Sequence, residues 1–155
     1  MFVFLPILFV ALLVAADQFT KSLAVRYLLP VDSLPFVPGL FDFTYVENQG
    51  AAYGLLEGGR WFFLIITAVV MVFIGYFYFK PPSSKTKLSR AAMVVIFAGA
   101  LGNAVDRLRN GYVVDFIHTL FINFPVFNVA DICVVCGTIL LAILVVFYGD
   151  KPATK

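Results

Sequence analysis

Polar residues divide this chain into four long apolar stretches. Phe2 to about Ala16 carries no charge, and its apolar character continues through the amphipathic Asp17–Leu29. Trp61–Phe79 is uncharged, Leu88 to about Val105 carries only Arg90 near its start, and Val129–Tyr148 carries only Asp131 near its entrance. Crossing the hydrocarbon of a bilayer takes about 20 mostly apolar residues in a helix. The pattern therefore predicts four spanning helices in a single membrane domain, residues 1–155. Between them the period changes. Phe41-Asp42-Phe43-Thr44-Tyr45-Val46 alternates as a strand does, and Glu47-Asn48-Gln49-Gly50 reads as a turn. Residues 112–127 are β-branched and aromatic. The expected fold is an all-α membrane protein with a small outward-facing β element between helices 1 and 2 and before helix 4. The apolar residues of that element suit sheet packing or a lipid-facing skirt equally well.

Composition narrows the class. Of the 155 residues, 62% are hydrophobic and 13% charged, against about 45–50% and 25% in soluble domains. Too little polar surface is present to cover a water-soluble globule, and too many aromatic and branched residues for a disordered chain. A net charge of +2 supplies no basic mass for nucleic acid. Val14-Ala15-Ala16 resembles a signal-peptide cleavage site, but no Lys or Arg precedes it and three more spans follow, so the first helix is expected to be retained.

The charges are unevenly placed. Lys80, Lys85, Lys87 and Arg90, with Lys151 and Lys155, give the second connection and the C-terminal tail six basic residues against one acid, Asp150. The rest of the chain holds five basic residues and eight acids. Positive residues in short loops mark the cytoplasmic side, so both termini are expected inside, with the acidic connections outside.

On that outer side, polar residues from three helices and one loop are predicted to meet at one depth. Asp17 and Lys21 are one helical turn apart; Asn103, Asp106 and Arg107 share a helix face; Asp115 follows; Asn128 and Asp131 open the last span. Ionisable groups at membrane depth mark either a paired structural contact or a functional site. Asp17/Lys21 reads as an ion pair, Asp106/Arg107 as a charge pair fixing the third helix, and Asn128 as a helix N-cap. Asp115 and Asp131 have no adjacent cation. If they meet, they cannot both ionise readily and will share a proton. An aspartic protease uses such a pair to activate water and polarise a carbonyl, and an ion or proton site would use it too. Cys133 and Cys136, and the single His118, read as core or surface residues rather than metal ligands. No serine-hydrolase, zinc-protease, phosphate-loop or dinucleotide motif is present in the sequence.

Five short motifs in order then carry a family resemblance: Asp17-Gln18-x-x-Lys21; Asn48-Gln49-Gly50-Ala51-Ala52-Tyr53-Gly54; Gly102-Asn103-Ala104-Val105-Asp106-Arg107; Val113-Val114-Asp115-Phe116; and Phe127-Asn128-Val129-Ala130-Asp131. This set resembles bacterial lipoprotein signal peptidase, the signal peptidase II family of four-span aspartic endopeptidases and targets of the antibiotic globomycin. The resemblance implies removal of signal peptides from diacylglyceryl-modified prolipoproteins, just before the lipidated Cys. It implies Asp115 and Asp131 as the catalytic pair. Asn48, Gly54, Asn103, Arg107 and Asn128 would line or support the substrate site, Asp17 and Lys21 form the first-helix motif, and Asp106 would brace Arg107. It implies no metal or organic cofactor. The expected partners are lipidated prolipoproteins and membrane lipids, with no nucleic acid, for a monomer in the bacterial cytoplasmic membrane whose active site lies near the outer leaflet. The alternative left by the residues alone is a small proton- or ion-coupled transport protein using the same acids.

Overall fold

A computed structural model describes residues 4–50, 56, 58–82 and 85–149. Gly54 lies outside the described residues, as do Asp150, Lys151 and Lys155. The order is α1 (Phe4–Tyr27), β1 (Ser33–Val37), β2 (Phe41–Asn48), α2 (Arg60–Phe79), α3 (Thr86–Arg109), β3 (Val113–Thr119) and α4 (Val129–Tyr148). All four helices are long and apolar enough to cross a membrane. At about 1.5 Å per residue, the 20 residues of α2 and of α4 match the ~30 Å hydrocarbon core. Helix α3 runs one turn past the expected end near Val105 and carries Asp106 and Arg107. Charge lowers hydropathy there without interrupting the helical hydrogen bonds.

The bundle is built on α3, against which α1, α2 and α4 all pack. Lipid removes the hydrophobic drive between helices, so close packing of small residues must supply contact. Ala92, Ala98, Gly99, Gly102 and Ala104 form the buried face of α3. A Cβ on Gly102 would lie 2.6 Å from Asp17 Oδ2, and one on Gly137 of α4 would lie 2.7 Å from Ile96 Cγ1. Only glycine allows those approaches. Large side chains point outward instead, and α2 has no buried residue at all.

The strands form one antiparallel sheet in the order β1-β2-β3. Pro35 is tolerated because β1 is an edge strand. Strand β2 continues through Glu47 and Asn48, where a turn is expected, because Asn48 pairs with Val113. The turn comes later, with Gly50 N–H donating to Asn48 Oδ1 at 3.0 Å. On the far side of β3, Ile117 and Phe127 exchange backbone hydrogen bonds of 2.8 and 3.0 Å. That bridge returns the chain to the sheet just before α4. The sheet rests on the last turns of α1, where Ala24 and Leu28 pack with Val114 and Phe116. The amphipathic extension of the first span is thus the pedestal of the β element.

Candidate active site

Three asparagines organise the polar layer. Asn128 is the N-cap of α4 and forms a full capping box: Asp131 N–H donates to Asn128 Oδ1 at 2.9 Å, and Asn128 N–H to Asp131 Oδ2 at 3.1 Å. The cap expected from the spacing is present, but it does not exhaust the residue. Its Nδ2 also donates to Asp115 Oδ1 at 2.6 Å and to Asn103 Oδ1 at 3.2 Å. One fully buried residue therefore touches both carboxylates that the sequence singles out, Asp115 through its side-chain amide and Asp131 through its backbone N–H.

Each of the other two amides is oriented by a donor that cannot accept. Lys21 Nζ donates to Asn103 Oδ1 at 2.8 Å, so Asn103 Nδ2 faces Asp131 Oδ1 at 2.7 Å. Gly50 N–H occupies Asn48 Oδ1, so Asn48 Nδ2 faces Asp115 Oδ2 at 2.8 Å. Both oxygens of Asp115 and both of Asp131 thus accept from neutral amide groups. Burial, with the charge of Asp131, pushes Asp115 up to about 7, against the opposing donors Asn48 and Asn128 and the charge of Lys21.

A second group of acids lies beside this one. Lys21, buried, makes ion pairs of 2.9 Å with Asp17 Oδ2 and 2.9 Å with Asp106 Oδ2. Asp17 Oδ1 accepts from Ala130 N–H at 2.9 Å, in the first turn of α4. Asp106 also accepts from Gln18 Nε2 at 2.7 Å and from Val114 N–H at 3.3 Å. Asp106 therefore ties α1 and β3 to α3. The bracing of Arg107 that the resemblance implies is replaced by these bonds, because consecutive helical residues point in different directions. Arg107 Nη2 instead donates to Gly50 O at 3.2 Å, and its guanidinium stands 4.9 Å from the Phe63 ring centroid on α2.

Asp17, Lys21, Asn48, Asn103, Asp106, Asp115, Asn128 and Asp131 consequently form one connected network, with Arg107 at its side. Gln18, whose Nε2 also reaches Asp17 Oδ2 and Gly102 O at 3.3 Å each, belongs to it as well. In the sequence it stood within the Asp17-Gln18-x-x-Lys21 motif but was given no role of its own. His118 lies elsewhere, pairing with Asp42 at 3.0 Å on the sheet. Cys133 and Cys136 are free thiols. Among the described residues, no group of three or more His, Cys, Asp or Glu side chains is placed to hold a metal ion.

Similarity to known proteins bears on this geometry. The sequence pattern of signal peptidase (SPase) II matches residues 9–147. The lipoprotein signal peptidase of Caldanaerobacter subterraneus subsp. tengcongensis is 47% identical over 146 residues, covering 94% of this chain and 98% of that protein. That of Clostridioides difficile is 40% identical over 148 residues, covering 95% and 98%. A bacterial membrane enzyme solved by the in meso method at 2.3 Å superposes with a TM-score of 0.82 at 34% identity, over 100% of this chain and 97% of the other. A transport protein finds no support in these relatives.

Proposed function

The chain belongs to the signal peptidase II family, and from that premise we propose that Asp115 and Asp131 are the catalytic pair of an aspartic endopeptidase. Its activity is the removal of signal peptides from prolipoproteins, the substrate named for its relatives. The cut falls just before the Cys that carries diacylglyceryl, whose acyl chains stay in the lipid while the peptide reaches the pair sideways from the bilayer. The carrying observation is that the two carboxylates are held by Asn48, Asn103 and Asn128 and by no cation of their own. Neutral donors fix the positions of the oxygens and leave the pair able to hold one proton or none.

With one proton on the pair, the chemistry closes without a covalent intermediate. The ionised carboxylate takes a proton from water as the water oxygen bonds to the carbonyl carbon preceding the lipidated Cys. The protonated carboxyl gives its proton to the carbonyl oxygen. When the tetrahedral species collapses, the first carboxyl returns its proton to the departing amine, the C–N bond breaks, and the second recovers the hydroxyl proton. The raised affinity of Asp115 supports it as the resting proton holder. Arg107, fixed on Gly50 O, holds the segment that leads into Gly54 and would close over the substrate. The chain acts as a monomer with both termini in the cytoplasm. The support is that the described Lys80, Lys85 and Arg90 lie at the end of the bundle opposite the asparagine layer.

Incubating the purified protein with a lipidated prolipoprotein tests this reading. Signal peptide should appear in the products, and globomycin should suppress it. A pH-dependent solute flux with no peptide product would place the acids in a transport relay instead.

A further inference from the structure

The lipid-facing wall of the bundle is interrupted at one place. Helices α1 and α2 pack on α3 rather than on each other. Between them lies a groove of about 400 Å³ that opens at the end carrying the Lys80–Arg90 connection and runs inward to Val14 and Leu101. Val10 and Val14 of α1, Ile74 and Tyr78 of α2, and Met93 and Phe97 of α3 form its walls, and every lining side chain but Tyr78 is apolar. From Pro6 to Val14 the groove follows α1 over a rise of about 12 Å, most of one leaflet's half of a ~30 Å core.

Gly75 makes the groove more than a chance gap. Glycine weakens a helix interior, and the other glycines inside helices admit a close neighbour: Gly99, Gly102 and Gly137 would each drive a Cβ into another helix. A Cβ on Gly75 would meet nothing within 4 Å, although Gly75 lines the groove. The space it opens is used by no other part of the described protein.

The mouth of the groove is cationic. Arg90 Nε donates to Tyr78 O at 3.0 Å, and its guanidinium lies 5.7 Å from the Tyr78 ring centroid, which sets the charge on a residue of the groove wall. Lys80 stands 5.5 Å from the Tyr76 ring centroid, on the same helix as Tyr78, whereas Lys85 lies against Tyr148 of α4, outside the groove. Residues 80–90 contain no acid. A signal peptide would bring its own basic leading segment to these cations, and a second copy of this chain would bring the same lysines. An anionic headgroup complements them.

We propose that this groove binds an acyl chain of an anionic phospholipid, with the headgroup phosphate on Arg90. The lipid fills the wedge between α1 and α2 and joins two helices that otherwise meet only through α3. It is a site apart from the peptidase centre.

The test uses the full chain, stripped of lipid in neutral detergent and titrated with phosphatidylglycerol or phosphatidylcholine of identical chains, with bound lipid counted by native mass spectrometry. One phosphatidylglycerol should bind per chain, about ten-fold tighter than phosphatidylcholine. Arg90→Gln should remove most of that preference and leave phosphatidylcholine binding unchanged. Gly75→Leu, whose Cβ enters open space, should fill the groove, lower binding of both lipids about ten-fold and leave peptidase activity in detergent unchanged; Ala11→Phe fills the same space from α1 and serves as its check. Equal retention of the two lipids, or binding that both filling variants leave intact, overturns the proposal. Displacement of the lipid by a basic signal-peptide analogue, or dimerisation that the filling variants abolish, overturns it in favour of a peptide or a second copy.

Discussion

Two pairs of carboxylates sit side by side in the polar layer and are held by opposite means. Asp17 and Asp106 close on one buried lysine, each at 2.9 Å from Lys21 Nζ. Asp115 and Asp131 are held by asparagine amides and a backbone N–H. A shared cation draws its partners together and makes them braces: one reaches the first turn of α4, the other reaches β3. The amide donors on Asp115 pull toward the ionised form without bringing a charge, and burial outweighs them. Residues of one type at one depth are thus divided by their partners into a frame and the pair proposed to react.

The largest effects should come from the reacting pair. Asp115→Asn and Asp131→Asn should each lower cleavage of lipidated prolipoprotein by about a thousandfold while the melting temperature stays near that of the wild type. A purified Asp131→Asn protein that cleaved at the wild-type rate would end the assignment. The frame should answer differently. Lys21→Met leaves two buried carboxylates without their cation, a change that costs about 3–5 kcal/mol, and thermal unfolding in detergent should report it. If that variant melted with the wild type, the frame would be no frame.

Asn128 belongs to both groups, and two substitutions separate its roles. Asn128→Ala removes the cap, worth about 1 kcal/mol, together with the bond to Asp115, so stability and activity should fall together. Asn128→Ser keeps a capping oxygen and loses the donor to Asp115, so the melting temperature should largely recover while activity does not.

The comparison also carries a pH dependence of stability. Asp115 lies at about 7 in the folded protein, above the ~3.9 of an unfolded aspartate. Between these values the folded state binds more protons than the unfolded one. The contribution is therefore full below about pH 4 and is lost as pH rises through about 7. Denaturation followed across that window should show a decline in the wild type that Asp115→Asn flattens.

Much of this was legible in the residues alone. Hydropathy found the four spans, since each is a long run nearly free of charge. The i, i+4 spacing of Asp17 and Lys21 announced their ion pair, and Asn128 three residues before Asp131 announced the cap. The links between elements were not legible. Asn128 reaches Asp115 only because Phe127 bridges to Ile117, a register that no local pattern encodes. Asp106 was read with its neighbour Arg107, but the helix turns the two side chains apart, and Lys21 lies 85 positions earlier in the chain. Strand β2 ran past its expected turn for a similar reason, since Asn48 is kept in the strand by Val113 across the sheet.

The bond from Ala130 N–H to Asp17 Oδ1 joins residues 113 positions apart, the first span to the last. Asp131 follows directly, in the same turn of the same helix. A ribosome must therefore deliver nearly the whole chain, and the membrane must accept its fourth span, before the second acid can take its place beside the first. With Asp115 and Asp131 as the proposed catalytic pair, nascent forms would be inert, and the protease could not begin cutting until its own insertion was complete.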